Sequence, residues 1–239
     1  MTMPHCHPMA VGAGSHQAAP DTGSRQANPA GPKKLRAAPR RPLGDSAKMK
    51  RLPLMQRGPT QGRTNPPAPW LGGKRNLARR ICRVIDAVDH KTYAEPFVGM
   101  GGIFLRRSAP VRNEFINDLH REVYTLFRIL QEHYVAFLDL LRFQITTQAN
   151  FERLVAVDPE TLTDLQRAAR FLFLQRCAFG GKVSGQNFGL ATDRPARFNL
   201  TTLEPDLEAL HSRLSGVTVT CLDFGDFIRR VDGANALFY

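Results

Sequence analysis

The stretch Ala94-Glu95-Pro96-Phe97-Val98-Gly99-Met100-Gly101-Gly102 constrains the fold more than any other part of this chain. The run Lys91 to Val98 reads as a buried strand, and Ile103-Phe104-Leu105-Arg106-Arg107 reads as the first turns of a helix. A strand that passes through a glycine-rich turn into a helix lets backbone approach a ligand closely and offers it unpaired N–H groups. The same turn serves nicotinamide, flavin and S-adenosylmethionine sites alike, and many such turns bind nothing. Its neighbours decide.

Those neighbours are periodic. Leu77, Ile81, Val84, Ile85 and Val88 recur at helical spacing and predict a helix from about Arg75 to Ala87. Beyond Pro110, Arg112 to Asn117 alternates as a second strand that ends at Asp118, and a long helical region runs from Arg121 to about Phe143. Further on, Leu203, Leu207, Leu210 and Leu214 form a helical stripe with Thr202 as its cap and Gly216 as its stop. Val217 to Leu222 is a third strand, Phe224 to Val231 a short helix, and Ala236 to Tyr239 the start of a fourth strand. Successive α/β units predict a doubly wound, Rossmann-like sheet. Residues 144–200 interrupt it, with helix signals over Leu165 to Phe179 and a polar loop, Gly180 to Gly189, that carries four glycines. The expected organisation is a tail over 1–65, core over 66–143, an insertion over 144–200 and core again over 201–239.

Charge is unevenly spread. Residues 1–69 hold 11 Lys or Arg against 2 Asp or Glu, whereas the remainder holds 22 against 19, so the net charge of +12 belongs largely to the tail. The tail is rich in Pro, Gly, Ala and Ser and is expected to be disordered. It reads either as a basic arm on DNA or, preferred because nothing in it is patterned, as a dispensable extension. Cys6, Cys82, Cys177 and Cys221 form no C-x-x-C pair, so neither a metal site nor a disulfide framework is expected. No apolar run is long enough to span a membrane and no signal-peptide core is present; a soluble, cytoplasmic protein is expected.

Trp70-x-Gly72-Gly73-Lys74, Glu95-Pro96-Phe97-Val98-Gly99-x-Gly101, Asn117-Asp118, Leu174-x-Arg176-x-x-Phe179, Asp223-Phe224 and Leu237-Phe238-Tyr239 follow one another over about residues 69–239. As an ordered set they resemble the Dam-type adenine-N6 DNA methyltransferases. The resemblance implies S-adenosylmethionine as cofactor and double-stranded DNA as partner. It also implies that Trp70, Lys74, Phe97, Gly99, Gly101, Asp118, Asp223 and Phe224 hold the cofactor. The chemistry of the residues fits: glycines admit the methionine portion without a Cβ clash, and an acid at the tip of the second strand can accept ribose hydroxyls. The ammonium of Lys74 suits a carboxylate, and Trp70 offers a flat apolar wall. Alternatives stay open at this point. Asp118 can cap the Arg121 helix, Trp70 can be a core aromatic, and Asp223-Phe224 can be a strand-end turn.

The insertion would then read DNA. Arg176, Phe179, Lys182, Gln186, Asn187, Arg194 and Arg197 are its candidates for contacts with phosphates, base edges and the space left by an extruded base. Core packing is the alternative for Phe179, and solvated surface for Lys182 and the arginines. The family resemblance also implies an Asp-Pro-Pro-Tyr turn after the fourth strand, where the target amine is oriented. No such turn occurs in the 239 residues, so no catalytic residue is assigned and the chain as it stands is expected not to methylate DNA. Asn65-Pro66-Pro67-Ala68 has no preceding strand and no aromatic at its fourth position, and is rejected as a substitute. A nicotinamide-dependent oxidoreductase is disfavoured because the spacing departs from G-x-G-x-x-G. A non-catalytic DNA-binding protein remains as the alternative.

Overall fold

The computed structural model describes residues 63–108, 110–190 and 195–239. The expected disorder of the tail up to residue 62, and Arg194, lie outside the described residues. In chain order the elements are α1 (Ala78–Asp86), β1 (Thr92–Glu95), β2 (Asn113–Asn117), α2 (Arg121–Glu132), α3 (Tyr134–Leu141), α4 (Gln148–Ala156), α5 (Asp164–Cys177), α6 (Leu200–Leu214), β3 (Thr218–Thr220), α7 (Phe224–Val231) and β4 (Ala236–Phe238).

The four strands form one parallel sheet in the order β3-β2-β1-β4. Ala94 of β1 lies opposite Phe115 of β2 on one side and Phe238 of β4 on the other, while Phe115 lies opposite Thr218 of β3. The fold is α/β and Rossmann-like. The chain moves outward from β1 through β2 to β3 and then returns across β1 to β4, so the topology reverses between β1 and β4. A crevice opens at the carboxyl ends of strands where such a reversal occurs.

The core follows the periodicity. Leu203, Leu207, Leu210 and Leu214 of α6 are all fully buried, as are Val123, Leu126, Phe127 and Leu130 of α2. α2 packs against both α5 and α6, and α3 against the same two helices. α5 begins with a capping box between Thr163 and Gln166 and buries nearly its whole length, including Phe171, Leu172, Phe173 and Leu174. No helix among the described residues is long and apolar enough to cross a membrane.

Four local expectations need correction. The glycine turn does not run into an α-helix: Phe104–Arg106 makes a single 3-10 turn, after which the chain straightens at Arg107. The long helix after Arg121 is two helices, broken at His133, whose φ of −130° leaves the helical region. α6 is capped by Asn199, whose side chain accepts from the Thr201 N–H at 3.0 Å; Thr202 lies inside the helix. The core also begins ahead of residue 66, the boundary expected for it. Thr64 is buried and its N–H donates to the Leu105 carbonyl at 2.9 Å, so residues 64–69 form a strap laid against the glycine turn.

Candidate functional site

A cavity of about 1050 Å³ opens at the carboxyl ends of β1 and β4, where the topology reverses. The strap forms one wall with Asn65, Pro66, Ala68, Pro69 and Trp70. Glu95, at the end of β1, and the glycine turn from Phe97 to Ile103 form another, and Tyr239 closes the β4 side. Lys74, Arg75 and Arg106 add positive charge to the lining.

The glycine turn is shaped by two residues in the left-handed region. Gly99 and Gly101 have φ of +51° and +71°, conformations that side chains disfavour. A Cβ on Gly99 would stand 2.8 Å from the indole nitrogen of Trp70, and one on Gly101 would stand 2.8 Å from the side chain of Leu105. Within this protein, then, the glycine at 99 lets the Trp70 indole lie against the turn. Trp70 is half-buried, edge-on to both Phe171 and His120.

Asp118 holds the turn from the neighbouring strand. One carboxylate oxygen accepts the Gly99 N–H at 2.9 Å and the other accepts the His120 N–H at 2.9 Å. Asp118 is therefore not the cap of α2, whose N-cap is His120. Each carboxylate oxygen can accept a further hydrogen bond, so the group keeps acceptor capacity. The preceding residue, Asn117, is buried and ties three loops together. Its amide donates to the carbonyls of Pro96 and Leu222, both at 3.0 Å, while its oxygen accepts from the Leu222 N–H at 2.9 Å. Phe97 and Phe224, 70% and 51% exposed, face each other with ring centroids 5.6 Å apart. Asp223 caps α7 through the Gly225 N–H at 2.9 Å, and Lys74 donates to the Gly72 carbonyl at 2.9 Å.

The match to known proteins runs over this same body. Residues 70–239 fit the family described as D12 class N6 adenine-specific DNA methyltransferase. The chain belongs to this family. A relative from Escherichia phage P1, named DNA N-6-adenine-methyltransferase, is 30% identical over 178 residues, which is 71% of this chain and 22% of that protein. The chain thus spans about a fifth of the length of the relative it matches.

Set against that family, the expected cofactor residues fall into two groups. Trp70, Lys74, Phe97 and Gly99 line the cavity itself. Gly101, Asp118, Asp223 and Phe224 do not, but Asp118 bonds Gly99 and Phe224 faces Phe97, so the two groups are joined by direct contact. Expected DNA contacts divide differently. Phe179 is 65% exposed, which excludes its core alternative, and Lys182 and Asn187 are also on the surface. Gln186 donates to the Lys182 carbonyl at 2.8 Å, folding the loop on itself. Arg176 and Arg197 instead turn inward. Arg176 donates to the Pro67 carbonyl at 2.7 Å and the Arg197 carbonyl at 3.2 Å, Arg197 donates to the Ala178 carbonyl at 3.0 Å, and both line the cavity. Burial pushes the Arg176 pKa down.

Sequence reasoning misses two residues. Asn117 stands out in the sequence only as part of a motif, although it is the joint between three loops. Glu95 falls inside the strand expected over Lys91 to Val98, yet β1 ends at it and its carboxyl is buried on the cavity wall. Burial raises its pKa to about 7, against a hydrogen bond from the Tyr93 hydroxyl at 2.5 Å, the Phe104 backbone and Arg107, all of which favour the ionised form. The signal was present: an acid that closes an otherwise apolar strand has to face something polar. No cluster of three or more His, Cys, Asp or Glu suited to a metal occurs among the described residues.

Proposed function

We propose that the cavity binds S-adenosylmethionine and that the chain is the cofactor-holding part of an enzyme that methylates the exocyclic amine of adenine in double-stranded DNA. The observation that carries this reading is the glycine turn at the topological switch point, bonded through Gly99 to Asp118, in a cavity lined by two acids, Glu95 and Asp206, and several cations. The cofactor's amino-acid end is zwitterionic. Lys74 suits its carboxylate and Glu95 its ammonium, which on binding would hold the Glu95 carboxyl in its ionised form. Asp118 retains acceptor sites for ribose hydroxyls, and the Phe97–Phe224 pair supplies flat apolar surface for adenine. Bound S-adenosylmethionine supplies an electrophilic methyl group; the chain's residues orient it and shield it from water.

In this reading the exposed Phe179, Lys182 and Asn187, with the half-buried Gln186 of the same loop, would meet DNA, and Arg194 follows them in sequence. Arg176 acts by fixing the strap. The amine-orienting Asp-Pro-Pro-Tyr turn is not among the 239 residues, so the chain alone binds without turning over. Asn65-Pro66 does line the cavity, but the Pro67 carbonyl is tied to Arg176 and no strand among the described residues precedes it.

Thermal unfolding with S-adenosylmethionine and, separately, NAD tests the reading. A ligand at a hundred times its Kd stabilises by about 2.7 kcal/mol. For a folded body of this size that raises Tm by roughly 5–10 °C. An equal shift with NAD, or none with S-adenosylmethionine, refutes the cofactor assignment. Methyl transfer to mixed-sequence DNA above background refutes the absence of turnover.

A further inference from the structure

The stretch from Lys74 to Arg83 carries five basic residues, Lys74, Arg75, Arg79, Arg80 and Arg83, and no acid. Outside it, residues 70–239 hold 17 basic against 19 acidic residues, and the turn into α1 with α1 itself is the densest basic run of the folded body. All five are exposed. None makes an ion pair among the described residues, and Asp86 at the far end of α1 makes none either. The polar contacts of the set are to carbonyls of its own neighbourhood, Lys74 to Gly72 and Arg83 to Arg79.

Sequence spacing sets the shape of this charge. Ala78, Cys82 and Ile85 face the core. Arg75, Arg79 and Arg83 recur every four residues and make a ridge beside that buried face, with Arg79 and Arg83 about 6 Å apart along the axis. The ridge starts at the cavity, which Lys74, Arg75 and Arg106 line. Burial lowers the pKa of the half-buried Arg106, and Arg75 lies close enough to add a like-charge repulsion. One cofactor carboxylate calls for one cation, not five in a row. A row of evenly spaced, unneutralised cations matches a row of evenly spaced anions.

We infer that the α1 ridge binds the phosphate backbone of duplex DNA, so that the DNA meets the protein on both sides of the cavity mouth, at α1 and at the loop from Phe179 to Asn187. This rests on the DNA-methyltransferase reading and adds to it a contact surface outside the insertion. Each phosphate neutralised contributes about 0.9 to the slope of log K against log salt. Arg79→Gln/Arg83→Gln removes two such contacts while leaving the cavity lining and the helical propensity of α1 intact.

The test is fluorescence anisotropy of the full chain with a mixed-sequence duplex between 50 and 200 mM salt. The Arg229→Gln/Arg230→Gln variant serves as a control with the same loss of net charge. The ridge variant should lose about 1.8 from the slope, with binding roughly tenfold weaker at 50 mM salt and a deficit that closes towards 200 mM. The control should lose much less, and S-adenosylmethionine should protect both variants as it protects the parent. Equal slopes for ridge and control variants overturn the inference while leaving the function intact. A parent chain that shows no salt-dependent DNA binding overturns both. An unchanged DNA slope together with lost binding to poly-glutamate assigns the ridge to an acidic polypeptide and also overturns it.

Discussion

Replacing Glu114 with Gln should be strongly destabilising. Glu114 points from β2 into a site closed by Arg107, from the segment after the glycine turn, and Arg213, from α6. Arg107 contacts it at 2.9 Å and Arg213 contacts both oxygens, at 2.6 and 2.9 Å; the three side chains are 5%, 0% and 1% exposed. Each guanidinium also lies over an aromatic ring, Arg107 at 3.7 Å from the Tyr93 centroid and Arg213 at 4.0 Å from that of Phe104. Rings of this kind offset part of the desolvation cost but cannot replace an anion. Removing one partner of a buried pair costs about 3–5 kcal/mol, because the remaining charge stays buried. Here two cations lose the same anion, which places Glu114→Gln at the upper end. With roughly 2–4 °C lost per kcal/mol in a domain of 150–250 residues, Tm should fall by about 8–20 °C. Circular dichroism melts and urea midpoints of parent and variant measure this. A companion variant sharpens the test. Arg107→Met/Glu114→Leu/Arg213→Met removes all three charges together and should lie near the parent or above it. A Glu114→Gln variant that melts within 2 °C of the parent, or a triple variant as unstable as the single one, refutes the reasoning.

Two further outcomes follow from the cavity wall. Gly99→Ala should cost about 1–2 kcal/mol for its positive φ and must also push the Trp70 indole away, since the added Cβ would stand 2.8 Å from it. Trp70 is the single tryptophan, so its emission should shift, and protection by S-adenosylmethionine should be lost; unchanged emission and protection would count against the packing described. Glu95 should make stability depend on pH. Its folded pKa, about 7, lies above the ordinary value of 4.5, so the unfolded chain ionises first. The contribution is complete below about pH 4.5 and is lost as pH rises through 7, by on the order of 3 kcal/mol. Urea unfolding at pH 5 and pH 8 should show that loss in the parent and not in Glu95→Gln. Cofactor affinity should move oppositely, rising over the same interval as the carboxylate forms to meet the ammonium; a flat profile would place the ammonium elsewhere.

What the sequence disclosed and what it hid divide along one line. Leu203, Leu207, Leu210 and Leu214 were legible because burial repeats at the period of the helix, and the sheet was legible because short strand-like runs alternate with helical stripes. The break at His133 was not, because helical spacing of apolar residues continues straight through it. Ile103-Phe104-Leu105 misled for a related reason. All three are buried, and so short an apolar run fits the start of an α-helix as well as a lone 3-10 turn; Arg107, drawn inward to Glu114, decides between them from 7 residues away. The site shows the same limit more sharply. Gly99 invited an explanation from a ligand, but the atom that requires its missing Cβ belongs to Trp70, 29 residues earlier in the chain. Arg176 and Arg197 looked like surface cations, yet their partners are the carbonyls of Pro67 and Ala178. A carbonyl acceptor leaves no mark in the residue string, because every residue has one. Sequence can therefore nominate an arginine for phosphate but cannot tell it from one already engaged by backbone. The row of cations leading into and along α1 is the stronger candidate for DNA for this reason: its charge is present in the sequence, and among the described residues no acid pairs with it.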